Sequence, residues 1–360
     1  MTNSTDSLLV NLAFLSKKPT GLTVYAQNIC PYLAHLNPTC LASHPIPDLH
    51  CYKIAENLNS DYGAKGHLRR LIWTQFKLAG IHRQLGASLL FSPIPEAPLF
   101  SSCRYIVTVH DLIPLRFGKP FSRLTTYFRY YIPQVLHQAE HIICNSESTR
   151  QEVMAYFGIP GSKITAILLA YDRSHFRHLN LSTGNYFLYI GRHDRHKNLD
   201  RLISAFATLS HHQDCELYLA GSYDPRYTPA LKTQIEELEI SHRVKFLDYI
   251  PYADLPVLIN QSIALVFPSL WEGFGLPVLE AMACGTPVIT SNLSALPEVA
   301  GDAAISIDPY NVGAIADAMQ ALLDSSALRS QMRVSGLARA ELFSWELTGR
   351  STAAILSKYV

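Results

Sequence analysis

Apolar positions along the chain fall into two kinds of segment. Short, nearly continuous apolar runs alternate with longer stretches in which apolar residues recur every three or four positions. The first kind reads as strands buried on both faces, the second as amphipathic helices packed over them. In the first half, strands are predicted at Leu8–Phe14, Cys51–Ile54, Leu89–Phe91, Tyr105–Val109, His141–Cys144 and Ile164–Leu168. Helices are predicted at Leu22–Leu36, Leu68–Leu85, Leu124–Gln138 and Ser148–Phe157. The stretch from Tyr171 to Gly184 is polar and irregular and reads as a linker. A second series of strands follows at Tyr186–Ile190, Leu217–Ala220, Val244–Leu247, Ala264–Phe267, Pro287–Thr290 and Ala304–Ile307. Strands alternating with helices predict parallel sheets, with ligands held beyond the carboxyl ends of the strands.

The 360 residues exceed what one comfortable core accommodates and predict two α/β domains. No apolar run is long enough for a membrane span. The segment Leu8–Phe14 lacks a basic flank and a cleavage site, so it reads as a strand and not as a signal peptide. The seven cysteines are scattered, without a C-x-x-C pair, which argues against a disulfide framework and a zinc site. Net charge is +1, giving no case for a nucleic-acid partner. The charge is uneven, however. Through residue 178 there are 17 Lys and Arg against 10 Asp and Glu; beyond it there are 13 against 19. The basic half reads either as ordinary solvated charge or as a face for an anionic acceptor or a membrane surface.

Four stretches carry candidate chemistry. In the loop before the first helix, Gly21 lets backbone N–H groups approach a phosphate at a helix N-terminus, although a plain turn is the favoured reading of a single glycine there. Neither G-x-G-x-x-G nor a P-loop is present. His110 and Asp111 close an apolar strand, where a histidine can bond a sugar hydroxyl or serve only the loop. Arg192 and Lys197 follow the strand ending at Gly191 and precede a helix that Asn198 is expected to cap. Two cations beside a helix N-terminus suit a diphosphate. Finally, Glu272 and Glu280 flank Gly273, Phe274, Gly275 and Leu276. Such a loop offers free amides, and two carboxylates suit sugar or ribose hydroxyls.

The stretch Glu272-Gly-Phe-Gly-Leu-Pro-Val-Leu-Glu280 resembles the Glu–seven residues–Glu motif of the family-4 retaining glycosyltransferases. Gly191-Arg192 with Lys197-Asn198, the run after Ala281, Leu296-Pro-Glu-Val and Phe343-Ser-Trp-Glu extend the resemblance over residues 186–350. It implies an α/β fold of two Rossmann-like domains facing a deep cleft, the GT-B type. Residues 1–175 would form the acceptor-side domain and 176–342 the nucleotide-sugar domain, with 343–360 a helix crossing back to the first. Arg192 and Lys197 match residues that grip the donor diphosphate, and Glu272 the glutamate near the donor sugar. Gly273, Phe274, Gly275 and Leu276 match the segment whose amides contact the sugar. Glu280 matches the ribose-binding glutamate, and Ile250 a backbone contact to the base. His110 matches a histidine that contacts the donor sugar, and Gly21 a glycine loop near the diphosphate. Two departures stand out: Pro-Thr-Gly-Leu-Thr where relatives often carry paired glycines, and Ala170-Tyr-Asp where many have Asn-Gly-Val-Asp.

The resemblance implies transfer of a hexose from a nucleotide-diphosphate sugar, GDP-mannose or a UDP-hexose, to a glycan, lipid-linked or small-molecule acceptor. Lys197-Asn198, the stretch from Leu296 and Phe343-Ser-Trp-Glu resemble mannosyltransferases of bacterial polysaccharide assembly. No cofactor and no metal are expected, since D-x-D is absent. The expected location is cytoplasmic, either free or peripheral at the inner face of the membrane. A sugar-nucleotide epimerase on the same fold and a non-catalytic sugar-nucleotide-binding subunit are the competing readings.

Overall fold

A computed structural model describes residues 7–16, 20–119, 121–209 and 214–360. The chain divides into two compact units, Met1–Leu169 with Ser344–Val360, and Ala170–Phe343. The change of unit comes at Leu169/Ala170, earlier than residue 175.

The first unit is built on a seven-stranded parallel sheet. Its strands are β1 (Leu8–Asn11), β2 (Thr39–Ala42), β3 (His50–Lys53), β4 (Leu89–Ser92), β5 (Tyr105–Val109), β6 (His141–Cys144) and β7 (Ile164–Ala166), in the order β3-β2-β1-β4-β5-β6-β7. Val10 of β1 sits between Cys40 of β2 and Phe91 of β4. Leu9, Leu90, Val107 and Ile142 are fully buried in one core. That explains the unbroken apolar runs, because helices cover both faces. β2 has no counterpart among the predicted strands.

Several expected elements change at their ends. β1 stops at Asn11, whose side chain donates to Ser92 and accepts from Ala13 N–H, turning the chain before Phe14. The helix expected over Leu22–Leu36 is α-helical only over Gly21–Ile29. Pro31 then supplies no N–H, and the chain tightens into a 3-10 helix over Cys30–Leu36. The helices near Leu68–Leu85 and Leu124–Gln138 run from Gly63 to Gln84 and from Arg123 to Gln138. Each widens by a π turn, at Thr74–Leu78 and Tyr127–Tyr131.

The last helix, Trp345–Leu356, belongs to this first unit. Gly349 lies so close to Tyr32 that a Cβ there would stand 2.3 Å from the ring. Thr348 Oγ1 donates to Leu168 O at 2.7 Å, and Arg104 donates to Tyr359 O at 3.0 Å.

The second unit carries a six-stranded parallel sheet. Its strands are β8 (Tyr186–Ile190), β9 (Glu216–Ala220), β10 (Val244–Phe246), β11 (Ala264–Phe267), β12 (Val288–Ser291) and β13 (Ile305–Ile307), in the order β10-β9-β8-β11-β12-β13. The segment between Ala170 and β8 has no regular secondary structure. In both units the strand order reverses direction beside the first strand, the Rossmann-like arrangement. In the second unit that switch lies between β8 and β11, so the loops leaving these strands are neighbours at the carboxyl edge.

Candidate functional site

Those two loops carry the candidate residues of the second unit. The loop after β8 (191–198) and the loop after β11 (268–275) are joined at three points. Leu270 N–H donates to His196 O at 2.7 Å. Asn198 Nδ2 donates to Pro268 O at 3.1 Å and to Pro309 O at 2.7 Å. Lys197 Nζ donates to Glu272 Oε1 at 2.5 Å, with both side chains largely buried. Asn198 therefore does not cap the helix Leu199–Ala207 with its side chain. Its backbone is left-handed at φ 62°, and its amide is committed to the neighbouring loops instead.

The second loop is shaped for backbone presentation. Gly275 has φ 110°, and a Cβ there would stand 2.6 Å from Leu296 Cδ2. Only glycine meets both conditions. Gly275 leads directly into the helix Leu276–Ala283, where Pro277 supplies no N–H. Among the described residues, the N–H groups of Phe274, Gly275 and Leu276 meet no acceptor. Three unused amides at a helix start attract a hydroxyl oxygen or an anion. Ser294 Oγ accepts from Glu272 N–H at 2.9 Å and steadies the loop. Phe274 is buried against Phe343.

Glu280 lies on that helix, partly buried, and its carboxyl makes no hydrogen bond among the described residues. Desolvation by burial pushes it up to about 7. A carboxyl so placed gains from hydroxyl donors, which favour its ionised form. Ile250 sits in the loop after β10, partly buried beside the exposed Tyr249.

Arg192 is the most exposed cation of the site, 72% accessible, with Nε 3.1 Å from Asp194 Oδ2. Asp194 also meets Arg226 at 3.0 Å, and Arg226 grips Asp224. That guanidinium holds the Asp224 carboxyl down at about 2. The loops after β8, β9 and β11 thus bring three cations and three carboxylates together. An incoming anion meets guanidinium donors left over from these pairs rather than uncompensated positive charge.

In the first unit, His110 follows β5. Its Nε2 lies 2.8 Å from Pro93 O, and a carbonyl only accepts, so Nε2 carries the proton. Desolvation by burial lowers the ring to about 4, so it is neutral and Nδ1 presents a lone pair. Tyr25 packs edge-on at 4.9 Å. In this state the ring can accept a hydrogen bond at Nδ1 and cannot donate one there. Asp111 Oδ1 accepts from Ile113 N–H and shapes the following turn. Gly21 is the first residue of its helix, capped by Thr20 Oγ1, and among the described residues a Cβ there would meet nothing within 4 Å. Packing gives no reason for glycine at this position. The rest of that loop, 17–19, lies outside the described residues.

Residues 171–338 match the family described as "Glycosyl transferases group 1", and residues 19–175 match "Glycosyltransferase Family 4". O-antigen chain mannosyltransferase B of Escherichia coli is 34% identical over 259 residues, covering 68% of this chain and 67% of that protein. The chain belongs to the family-4 glycosyltransferases. O-antigen chain mannosyltransferase RfbU of Salmonella typhimurium is 26% identical over 84% of this chain and 87% of its own. Among solved structures, sucrose-phosphate synthase from Thermosynechococcus elongatus superposes with a TM-score of 0.77 at 19% identity, covering 98% of both chains. The fold of this glycosyltransferase is accordingly two Rossmann-like domains of the GT-B type.

The structure of the glycosyltransferase also places residues that the sequence reading passed over. Asp194, Asp224 and Arg226 complete the charge cluster, and their only linear signal is their position just after strands. Among the described residues, His193 Nε2 and Ser269 Oγ, buried in the same two loops, meet no hydrogen-bond partner. Among the described residues, no helix is long and apolar enough to cross a membrane.

Proposed function

We propose that this glycosyltransferase moves mannose from GDP-mannose to a glycan, lipid-linked or small-molecule acceptor, with retention at the anomeric carbon. Relatives named as mannosyltransferases, at 26–34% identity, support the sugar. The observation that carries the donor reading is the junction of the loops after β8 and β11. There Lys197, Glu272 and three unused amides meet at the sheet's switch point.

In this reading the bond between the anomeric carbon and the phosphate oxygen breaks, and the diphosphate departs toward Arg192 and Lys197. These cations stabilise the leaving group. The acceptor hydroxyl forms the new bond to the anomeric carbon and passes its proton to the departing phosphate oxygen. No protein general base is assigned. Glu272 and the amides of 273–276 position the sugar. Glu280 takes the ribose, the backbone at Ile250 faces the base, and His110 accepts from a sugar hydroxyl. Gly21 admits the diphosphate. No metal or cofactor is required, so EDTA is expected to leave the rate unchanged.

A thermal-shift panel of sugar nucleotides tests the donor, because a ligand that binds only the folded state raises its stability. GDP-mannose is expected to give the largest shift, and a larger shift with UDP-glucose would replace mannose in the proposal. An α-linked product from the α-configured donor, read by NMR, supports retention. Appearance of the epimeric sugar nucleotide without acceptor would support the epimerase reading instead.

A further inference from the structure

The unused amides of residues 274–276 can serve a sugar only if the loop that carries them keeps one shape. Of residues 273–276, two are glycine, the residue with the most conformational freedom to lose. Two side chains from outside the loop support it. Phe274 is 3% exposed, and its ring meets that of Phe343 edge to face, with centroids 6.2 Å apart at 76°. Leu296 lies against Gly275, whose missing Cβ would stand 2.6 Å from Leu296 Cδ2.

Both supports lead to Arg339, in the last turn of the helix Ser326–Ala340. Its guanidinium lies 5.2 Å from the centre of the Phe343 ring. Its Nε donates to Val299 O at 2.9 Å and its Nη2 to Glu298 O at 2.5 Å, in the short helix Leu296–Ala300. These are carbonyls of the kind that a helix end leaves unpaired and that a basic side chain satisfies. The ring face attracts the same cation. Gly301, at φ 52°, follows that helix, and a Cβ there would stand 3.2 Å from Arg339 Cζ. The chain around Phe343 is fixed as well, because Arg173 Nη2 donates to Glu341 O at 2.7 Å and to Phe343 O at 3.0 Å. One guanidinium thus ties together the two elements on which Phe274 and Gly275 rest.

We propose that Arg339 and Phe343 are positioning residues for the transfer, fixing the loop whose amides meet the donor sugar. They act through Phe274 and Leu296. The inference rests on the reading of residues 273–276 as a sugar contact, and it divides donor binding into two parts. The nucleoside diphosphate is assigned to Arg192, Lys197 and Glu280, and the sugar to Glu272 and the loop. Loosening the loop therefore weakens the sugar nucleotide and spares the free nucleotide.

Calorimetric titration of the full chain with GDP and with GDP-mannose tests it, UDP and UDP-glucose replacing them if the donor panel selects that pair. Arg339→Met and Phe343→Ala are expected to leave GDP affinity nearly unchanged and to weaken GDP-mannose by about fivefold or more, the size of one lost hydrogen bond. Retained GDP binding shows that the second unit is folded. Arg339→Met is the milder change and decides the matter if Phe343→Ala binds neither nucleotide. Arg243→Lys loosens the same unit elsewhere. Its buried guanidinium donates to Cys215 O at 3.1 Å and to Leu209 O at 3.3 Å, beside the amino ends of β9 and β10. That variant should melt at a lower temperature and keep both affinities. A merely structural role would move the two nucleotides together. Equal loss of both in Arg339→Met, an unchanged GDP-mannose affinity, or the same selective loss in Arg243→Lys would overturn the inference and leave the donor reading standing. Binding of neither nucleotide by the unsubstituted chain would sink the donor reading, and the inference with it.

Discussion

Lys197 Nζ donates to Glu272 Oε1 at 2.5 Å, across two loops that leave adjacent strands of one sheet. The cation assigned to the phosphates and the carboxylate assigned to the sugar are thus one ion pair, with side chains only 14% and 10% exposed. Lysine has three donors, so this contact leaves others for a ligand. Removing one partner strands the other. Lys197→Met is expected to cost about 3 kcal/mol of stability, and Lys197→Met with Glu272→Leu to recover much of it. Activity should be lost in both. Urea unfolding of both single variants and the double, beside a transfer assay, checks this, and a loss in the double equal to the sum of the two single losses would show that the pair carries no coupling.

Arg192 should behave in the opposite way. Its side chain is exposed and, among the described residues, pairs with Asp194. Arg192→Ala is expected to leave the unfolding midpoint nearly unchanged. It should lower kcat/KM roughly 100-fold if the guanidinium stabilises the departing diphosphate. A rate near that of the unsubstituted enzyme would remove Arg192 from the mechanism.

Burial raises the Glu280 carboxyl from 4.5 to about 7. The stability associated with its neutral form is fully present below 4.5 and is lost as pH rises through 7. Glu280→Gln is therefore expected to flatten the fall in stability between pH 5 and 8. Ribose hydroxyls donating to the carboxylate favour its ionised form, so nucleotide binding should release protons near pH 6.5 and tighten up to about pH 7. Calorimetry in buffers of different ionisation enthalpy measures this release. Its persistence in Glu280→Gln would place the linkage elsewhere.

His110 carries the reverse sign. Its ring titrates near 6.5 when unfolded and near 4 when folded, so the unfolded chain binds the extra proton between these values. Stability falls as pH drops through that window and is unaffected above it. The buried His196, also lowered to about 4, adds to the same slope. His110→Asn should reduce the loss in urea midpoint between pH 7 and 5, and the rate profile of the native enzyme should show no His110 step above pH 5.

Two glycines separate packing from function. Gly275→Ala meets Leu296 and an unfavourable φ, and is expected to destabilise the second unit by about 1–3 kcal/mol. Gly21→Ala meets nothing, so stability should hold or rise slightly. A fall in donor affinity with unchanged melting temperature would locate a ligand at Gly21, and unchanged affinity would leave it as a turn residue.

Strands such as β5, β6, β8 and β11 were legible because helices on both faces demand unbroken apolar runs, and their carboxyl ends carry His110, Arg192 and Glu272 in plain order. β2 was not, because Thr39-Cys-Leu-Ala is short and follows Pro38, with no alternation or length to separate it from loop. Asn198 misled because its residue type suits a cap while its left-handed backbone turns the amide toward Pro268 and Pro309. Arg226 was invisible because its relation to Asp194 spans separate strands and exists only once the sheet has formed.

The helix Trp345–Leu356 completes the unit that was begun by β1, after the whole second unit has intervened. A ribosome therefore delivers the first sheet long before the piece that covers Tyr25, Tyr32 and His141. During that interval this unit waits unfinished, with apolar surface open, while the second can close as soon as it emerges. Folding of this chain is then not strictly first-made, first-finished, and a fragment ending at Leu169 would lack its cover however correct its sheet.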